Sequence, residues 1–226
     1  MKKIMFNDEY GLTLSVLQKT KTQTRRIVPK SVLQKADEYR VEYYNGTLDA
    51  ISLIQAVHQL YFVEKCLSLP YLVGETVAIA QKYKDLISKR DGAEEALGLY
   101  NIGDKFLTKD EMGAGFSNKM FVSADLMQKH IVIKDCRIEH LQDISDEDCM
   151  KEGIEHAIIS VYDPKTGQKG DFAYKRTKLE GGVFSVNYKV CLTPQEAYAA
   201  LIDKVSGKGT WDSNPIVLVD DFELID

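Results

Sequence analysis

Residues 19–26 read Lys19-Thr20-Lys21-Thr22-Gln23-Thr24-Arg25-Arg26, a segment in which cations alternate with uncharged polar residues. The segment contains no acidic residue, although the whole chain carries a formal net charge of -5. A local positive field against an acidic background favours a ligand that bears phosphate or carbonyl groups. A solvated basic loop is the alternative interpretation.

The residues from Thr22 to Ile27 alternate between β-branched and polar types at their start, which predicts a strand. A short helix is predicted just before it, capped by Asn7 or Asp8 and running through Leu12 and Val16 to Gln18. Lys21 then lies at the junction of helix and strand, and Thr22, Thr24 and Arg26 share one face of the strand. We therefore expect Lys21 and Thr24 to approach each other across the turn.

Composition bounds the class of protein. The chain has 226 residues and is 44% hydrophobic, which suits one sizeable packed domain with insertions. No apolar run approaches the roughly 20 residues that span a bilayer, and acidic residues follow the first Met too soon for a signal sequence. The sequence therefore predicts a cytoplasmic protein without a membrane partner.

The cysteines and histidines do not form a metal-ligand pattern. The four cysteines are far apart, and the four histidines are not spaced to complete a zinc site with them. We expect reduced, mostly buried thiols, no metal and no cofactor. The cysteines are Cys66, Cys136, Cys149 and Cys191, and the histidines are His58, His130, His140 and His156.

The remaining patterns predict short strands and helices with two inserted segments, at about 31–69 and 84–115. The first insertion carries a hairpin signal at Tyr43–Thr47 and then a helical stripe from Ile51 to Tyr61. The predicted strands are Ile4–Phe6, a strand after Gly74, Ile131–Ile138, Val161–Tyr162, Gly182–Val190 and Ile216–Leu224.

Two helix starts carry capping signals. Ser145 and Asp148 are spaced as a capping pair for a short acidic helix that Glu152 and Gly153 end. Thr193 precedes a proline at the first helical position, and that helix is expected to stop at Gly207. These elements predict an α+β fold: a small β-barrel, open or closed, with short flanking helices and a helical insertion.

Four segments give the chain a resemblance to the ASCH family of PUA-like proteins, in particular to its branch in bacteriophages and prophages. They cover roughly a fifth of the chain in the family's order. The segments are Lys19–Arg26, Pro70–Glu75, Arg137–Ile154 and Gly207–Pro215. Two others depart from the family pattern, Ala80–Tyr83 and Phe116–Val122.

The resemblance implies a single domain over 1–226, a PUA-like β-barrel, and a cleft for RNA or a modified nucleoside. Some compact members look like amidohydrolases that remove the acetyl group from acetylated cytidine, using a lysine, a threonine and a glutamate. The matching positions here are Lys21, Thr24 and Glu152. As a base of lowered pKa, Lys21 would activate the Thr24 hydroxyl, and Glu152 would protonate the leaving nitrogen.

Several residues around this trio are candidates for holding the ligand. Trp211 is the sole tryptophan and would stack on a base, or else anchor the last strand in the core. Glu152 has a structural alternative as well, a salt bridge to Lys21 or Arg26. The ligand-binding candidates are Gln23, Arg25, Arg26, Lys119, Trp211 and Asn214.

Three functions follow from these expectations. The first is a metal-independent amidohydrolase of acylated cytidine-like nucleosides. The second is a non-catalytic RNA-binding module, and the third is a phage or host interaction protein. The overall acidity favours a short single strand or a mononucleoside over a long nucleic-acid footprint. The sequence does not indicate an oligomeric state.

Overall fold

A computed structural model describes residues 1–46, 51–87, 98–162, 165–167, 169–180 and 183–226. The chain is α+β. Its centre is a five-stranded sheet in the order β1-β3-β6-β10-β2, in which β1 and β3 are parallel and the other pairs antiparallel. Its strands are β1 (Lys3–Ile4), β2 (Gln23–Ile27), β3 (Thr76–Ile79), β6 (His130–His140) and β10 (Ile216–Leu224).

Two smaller sheets, seven α-helices, one π-helix (Gln59–Val63) and four short 3₁₀-helices complete the described elements. The pair β4 (Leu99–Ile102) and β5 (Lys105–Thr108) forms one sheet, and β7 (Glu155–Tyr162), β8 (Lys169–Glu180) and β9 (Val183–Cys191) form the other. The helices are α1 (Leu12–Leu17), α2 (Lys30–Gly46), α3 (Leu53–His58), α4 (Tyr83–Leu86), α5 (Lys109–Met112), α6 (Asp146–Lys151) and α7 (Pro194–Ser206). None of these described helices is both long enough and apolar enough to cross a bilayer.

The predicted capping signals are confirmed. The Ser145 hydroxyl accepts a hydrogen bond from the Asp148 N–H at 3.1 Å, and Thr193 does the same for Glu196 at 3.1 Å. Each bond satisfies one of the backbone donors that a helix start leaves without a partner. Gly153 follows α6 with φ 103, a conformation that glycine adopts without a side-chain clash.

The central sheet has two differently covered faces. On one face, Val217 and Val219 of β10 belong to the same buried cluster as Leu201 of α7. On the other, Leu218 packs with buried residues of α2 and α3, such as Ala36. Because successive strand residues point to opposite faces, the alternation along β10 divides the two layers. The helical stripe predicted within 51–61 is confirmed as part of the second layer.

Two sequence predictions need correction. The small β-barrel is not found among the described residues, because the hydrogen-bonded ladder ends at β1 on one side and at β2 on the other. With only two residues in β1, that edge offers little backbone to close a ring of strands. The hairpin signal at Tyr43–Thr47 was wrong as well, since its first four residues form the last turn of α2.

Candidate functional site

A cavity of about 320 Å³ lies beside the edge strand β2. Lys21, Thr24 and Glu152, the three predicted catalytic residues, all line it. Its apolar wall includes Phe6 from the segment after β1, and Leu201 from α7. The remaining polar lining residues are Asn7, Arg25, Arg26, Tyr198 and Ser206.

Lys21 and Glu152 form a buried ion pair at the cavity. Lys21 Nζ donates to Glu152 Oε2 at 2.6 Å and to the Glu152 backbone oxygen at 2.8 Å. Gly153 lies against this pair. A Cβ there would be at ordinary contact distance, 3.4 Å from Leu12 Cδ2 and 3.7 Å from Lys21 Cδ, so the positive φ of 103 and not a lack of space favours glycine. The side chains of the pair are only 2% and 6% exposed, so neither charge is hydrated as it would be at the surface.

Burial lowers the pKa of Lys21 below its ordinary value of 10.5, because an ammonium is disfavoured away from water. The Glu152 carboxylate opposes this change, whereas the nearby Arg26 and Arg25 add to it. The net direction is the one that a lysine base requires.

Arg25 organises the acidic side chains beneath the cavity. Its Nη1 donates to Glu152 Oε1 at 3.2 Å and to Gln23 Oε1, and its Nε donates to Glu139 Oε1 at 2.9 Å. Its Nη2 donates to Glu139 and, at 3.3 Å, to Asp148 Oδ2. The five N–H donors of a guanidinium are therefore all used by the protein. Burial acts against the charge, but Glu152 and Glu139 raise the pKa of Arg25.

The strand register explains how these groups meet. Gln23 and Arg25 lie opposite Asp221 and Val219 of β10, and Val219 lies opposite Arg137 of β6. Polar side chains from three strands thus share one face. Two further bonds join them: Gln23 Nε2 to Asp221 Oδ1 at 2.6 Å, and Arg137 Nη2 to Asp148 Oδ2 at 3.0 Å.

Three of the four cations of the basic segment, all except Lys19, are consequently paired with acidic side chains in the folded chain. Lys21 binds Glu152, Arg25 binds Glu139 and Glu152, and Arg26 Nη1 binds Asp220 Oδ2 at 2.6 Å. The segment itself contains no acid, but the acids arrive from β6, α6 and β10. The positive field expected from the linear sequence is much reduced at this cavity.

Thr24 and Arg26 lie on the opposite face of β2 from Arg25, as the sequence predicted for this pair. Arg26 also lies over the ring of Tyr71, 5.1 Å from its centroid. The Thr24 hydroxyl has no hydrogen-bond partner among the described residues. Thr24 and Lys21 line the same cavity, but no hydrogen bond joins their side chains.

Four of the predicted ligand-binding residues do not line the cavity. Gln23 is buried beneath it. Lys119 Nζ donates to the Phe6 backbone oxygen and to Asp8 Oδ1 at 2.7 Å, and so ties two loops together. Asn214 Oδ1 accepts from the Gln142 N–H at 2.8 Å. These three side chains are used within the fold.

Trp211 packs within the fold, which was the structural alternative to stacking on a base. Its ring lies edge-on to Tyr198, with centroids 6.2 Å apart and an interplanar angle of 81°. It is partly buried against the main hydrophobic cluster. Trp211 therefore supports a side chain of the cavity wall without reaching the cavity itself.

Asp203 fixes the loop that carries Trp211. Its carboxylate accepts from the Trp211 N–H at 2.9 Å and from the Gly209 N–H at 3.1 Å, and these backbone bonds lower the pKa of Asp203. A lowered carboxyl pKa stabilises the fold above the ordinary value of 3.8, and the contribution is lost as the pH falls through the lowered value.

We expect Asp203→Asn to reduce the free energy of unfolding by about 1 kcal/mol at pH 7, since the loop N–H groups lose a charged acceptor. Urea titrations of the two proteins check this. The difference should shrink as the pH falls below 3.8 and through the lowered pKa of Asp203. Asp212→Asn in the same loop is the matched control, expected to change little. An unchanged midpoint for Asp203→Asn at pH 7 would contradict the role.

Sequence reasoning missed Tyr198, Glu139 and Asp148. Tyr198 lines the cavity from α7, and its buried hydroxyl has no hydrogen-bond partner among the described residues. Glu139 and Asp148 hold Arg25. The spacing of the apolar residues of α7 is the one sequence pattern that predicts an inward-facing Tyr198. No local pattern predicts that Glu139 and Asp148 bind Arg25.

No protein-family model matches the chain, and no curated protein or solved structure matches it. Within the described residues, no group of three or more His, Cys, Asp or Glu side chains is arranged to hold a metal ion. The function is therefore argued from the cavity itself.

Proposed function

We propose that this protein has a PUA-like architecture of the ASCH type and is a metal-independent amidohydrolase of acylated cytidine-like nucleosides. The supporting observation is that Lys21, Thr24 and Glu152 line one cavity, with Lys21 Nζ and Glu152 Oε2 in contact at 2.6 Å. An amine, a hydroxyl and a carboxyl group are the functional groups that hydrolysis of an amide requires.

The size and charge of the cavity favour a nucleoside over a polynucleotide. A volume of about 320 Å³ is at the small end of ligand pockets. Its walls combine apolar side chains with cations that carboxylates already neutralise. A phosphate would compete with those carboxylates for Arg25 and Arg26, whereas a neutral, flat heterocycle would leave the ion pairs in place.

The reaction starts from the neutral form of the pair, the Lys21 amine with the Glu152 carboxyl group. Thr24 Oγ1 bonds to the acyl carbon, and Lys21 takes the hydroxyl proton. The C–N bond then breaks, its electrons pass to nitrogen, and that nitrogen takes a proton from Glu152. Lys21 returns a proton to Glu152 across their 2.6 Å contact. Water cleaves the Thr24 ester in the same manner and releases the acid.

The rate should depend on pH through Lys21. Because burial lowers the pKa of Lys21, the amine form becomes populated at a pH below its ordinary 10.5. The reactive pair holds one proton, on Glu152, and loses it as the pH rises through the lowered pKa. We therefore expect kcat/KM for acetate release to fall with rising pH at an inflection below 10.5, because the fully deprotonated pair cannot protonate the leaving nitrogen. Thermal melts over the same pH range control for unfolding. An inflection at or above 10.5 would contradict a lysine base.

The decisive experiment measures acetate release from N4-acetylated cytidine by the purified protein. A panel of nucleosides acylated at other positions serves as the specificity control. Absence of turnover across the whole panel would reject the enzyme. Single-stranded RNA is titrated in parallel at several salt concentrations.

Affinity for RNA that falls steeply with salt, without turnover, would instead favour a non-catalytic RNA-binding module. Failure of both assays would favour an interaction protein of phage or host.

A further inference from the structure

Among the described residues the buried Tyr198 hydroxyl has no hydrogen-bond partner, and a ligand in the cavity would provide one. The residue is 2% exposed, lines the cavity and packs in the main hydrophobic cluster. Its hydroxyl is buried, and no described residue provides a hydrogen-bond partner. An unpaired buried hydroxyl destabilises the fold, so phenylalanine would serve better if packing were the only role of this residue.

Burial raises the pKa of Tyr198 well above its ordinary value of 10.0, with the Glu152 carboxylate adding to the effect. The hydroxyl therefore keeps its proton and is a donor at any pH at which the protein would work. Tyr198 lines the same cavity as Lys21 and Glu152.

Three cations of the cavity already donate to the protein. Arg25 uses all five N–H groups, and Lys21 donates to two oxygens of Glu152. Arg26 donates to Asp220 and lies over the ring of Tyr71. When a nucleophile attacks an amide, negative charge develops on the acyl oxygen, which needs a donor whose capacity is unused.

We propose that Tyr198 is a further catalytic residue, whose hydroxyl donates a hydrogen bond to the acyl oxygen of the substrate and stabilises the oxyanion. This inference rests on the proposed hydrolase function. It also assigns the ligand a carbonyl group on the α7 side of the cavity. Trp211, which contacts the ring edge-on, then fixes the direction of the phenol.

The test is Tyr198→Phe, compared with wild type for acetate release from N4-acetylated cytidine and for thermal stability. We expect kcat to fall on the order of 10²-fold, with a smaller change in KM, because the donor acts mainly on the developing charge. We expect Tm to stay the same or rise, because the substitution removes an unpaired polar group.

Tyr61→Phe is the matched control, a buried tyrosine in the cluster on the other face of the sheet, and should leave kcat unchanged. Wild-type kcat in Tyr198→Phe would overturn the inference while leaving the hydrolase proposal intact. A fall in Tm would also overturn it, by showing that the hydroxyl has a partner within the protein. No turnover by wild type would reject the hydrolase, and the inference with it.

Discussion

Replacing Lys21 with methionine is expected to slow acetate release on the order of 10³-fold. Methionine keeps much of the volume but provides no amine, so no side chain is left to take the Thr24 proton, and general bases typically contribute roughly 10²–10⁴-fold. The same change should lower the free energy of unfolding by about 3 kcal/mol, since Glu152 keeps a buried charge with one partner fewer. Acetate release and urea unfolding measure the two effects.

The double variant Lys21→Met with Glu152→Gln separates catalysis from folding. The amide oxygen of glutamine still accepts from Arg25, and the buried carboxylate is gone. Most of the lost stability should therefore return, whereas activity should stay absent. Recovery of hydrolysis in the double variant would show that the pair is purely structural. Full stability in the single variant would show that the ion pair is not buried as described.

Replacing Arg25 with methionine should lower the free energy of unfolding by about 4 kcal/mol. Its side chain is 0% exposed and binds Glu139, Asp148 and Glu152, so its loss leaves three carboxylates close together without their shared cation. Urea unfolding at pH 7 measures the effect. Part of the loss should disappear at acidic pH, where protonation relieves the repulsion between the carboxylates.

Two companion variants sharpen this result. Arg25→Lys retains the charge but has three donors in place of five, so it should recover only part of the stability. Arg40→Met removes a partly exposed arginine paired with Asp37 and should change stability by less than about 0.5 kcal/mol. Equal effects for Arg25→Met and Arg40→Met would contradict the central role of Arg25.

Local signals predicted much of the secondary structure. The capping residues Ser145 and Thr193 placed their helices correctly, because a cap depends on atoms within one turn. The strand Ile131–Ile138 was found for a similar reason, as β-branched residues dominate it. The hairpin predicted at Asn45-Gly46 was wrong because this pair suits both a tight turn and a helix end. The helix-forming residues before it extend α2 through the pair.

Long-range contacts were harder to predict. Lys21 and Glu152 are 131 positions apart, so no local pattern could bring them together. Only the family resemblance predicted that both meet Thr24 at one cavity. The partners of Arg25 were missed because strand register and helix docking bring them together. The sequence left open whether a small barrel would close, because the ladder depends on strand pairing that local patterns do not encode.

The division of β2 into two faces limits how this chain can change in length. Inserting or deleting a single residue immediately ahead of Arg25 would turn its guanidinium toward α2 and α3 and bring a neighbour into its place among the acids. A change of two residues would preserve each orientation. Homologues that keep the site should therefore vary here in even steps, and odd-numbered changes should accompany its loss.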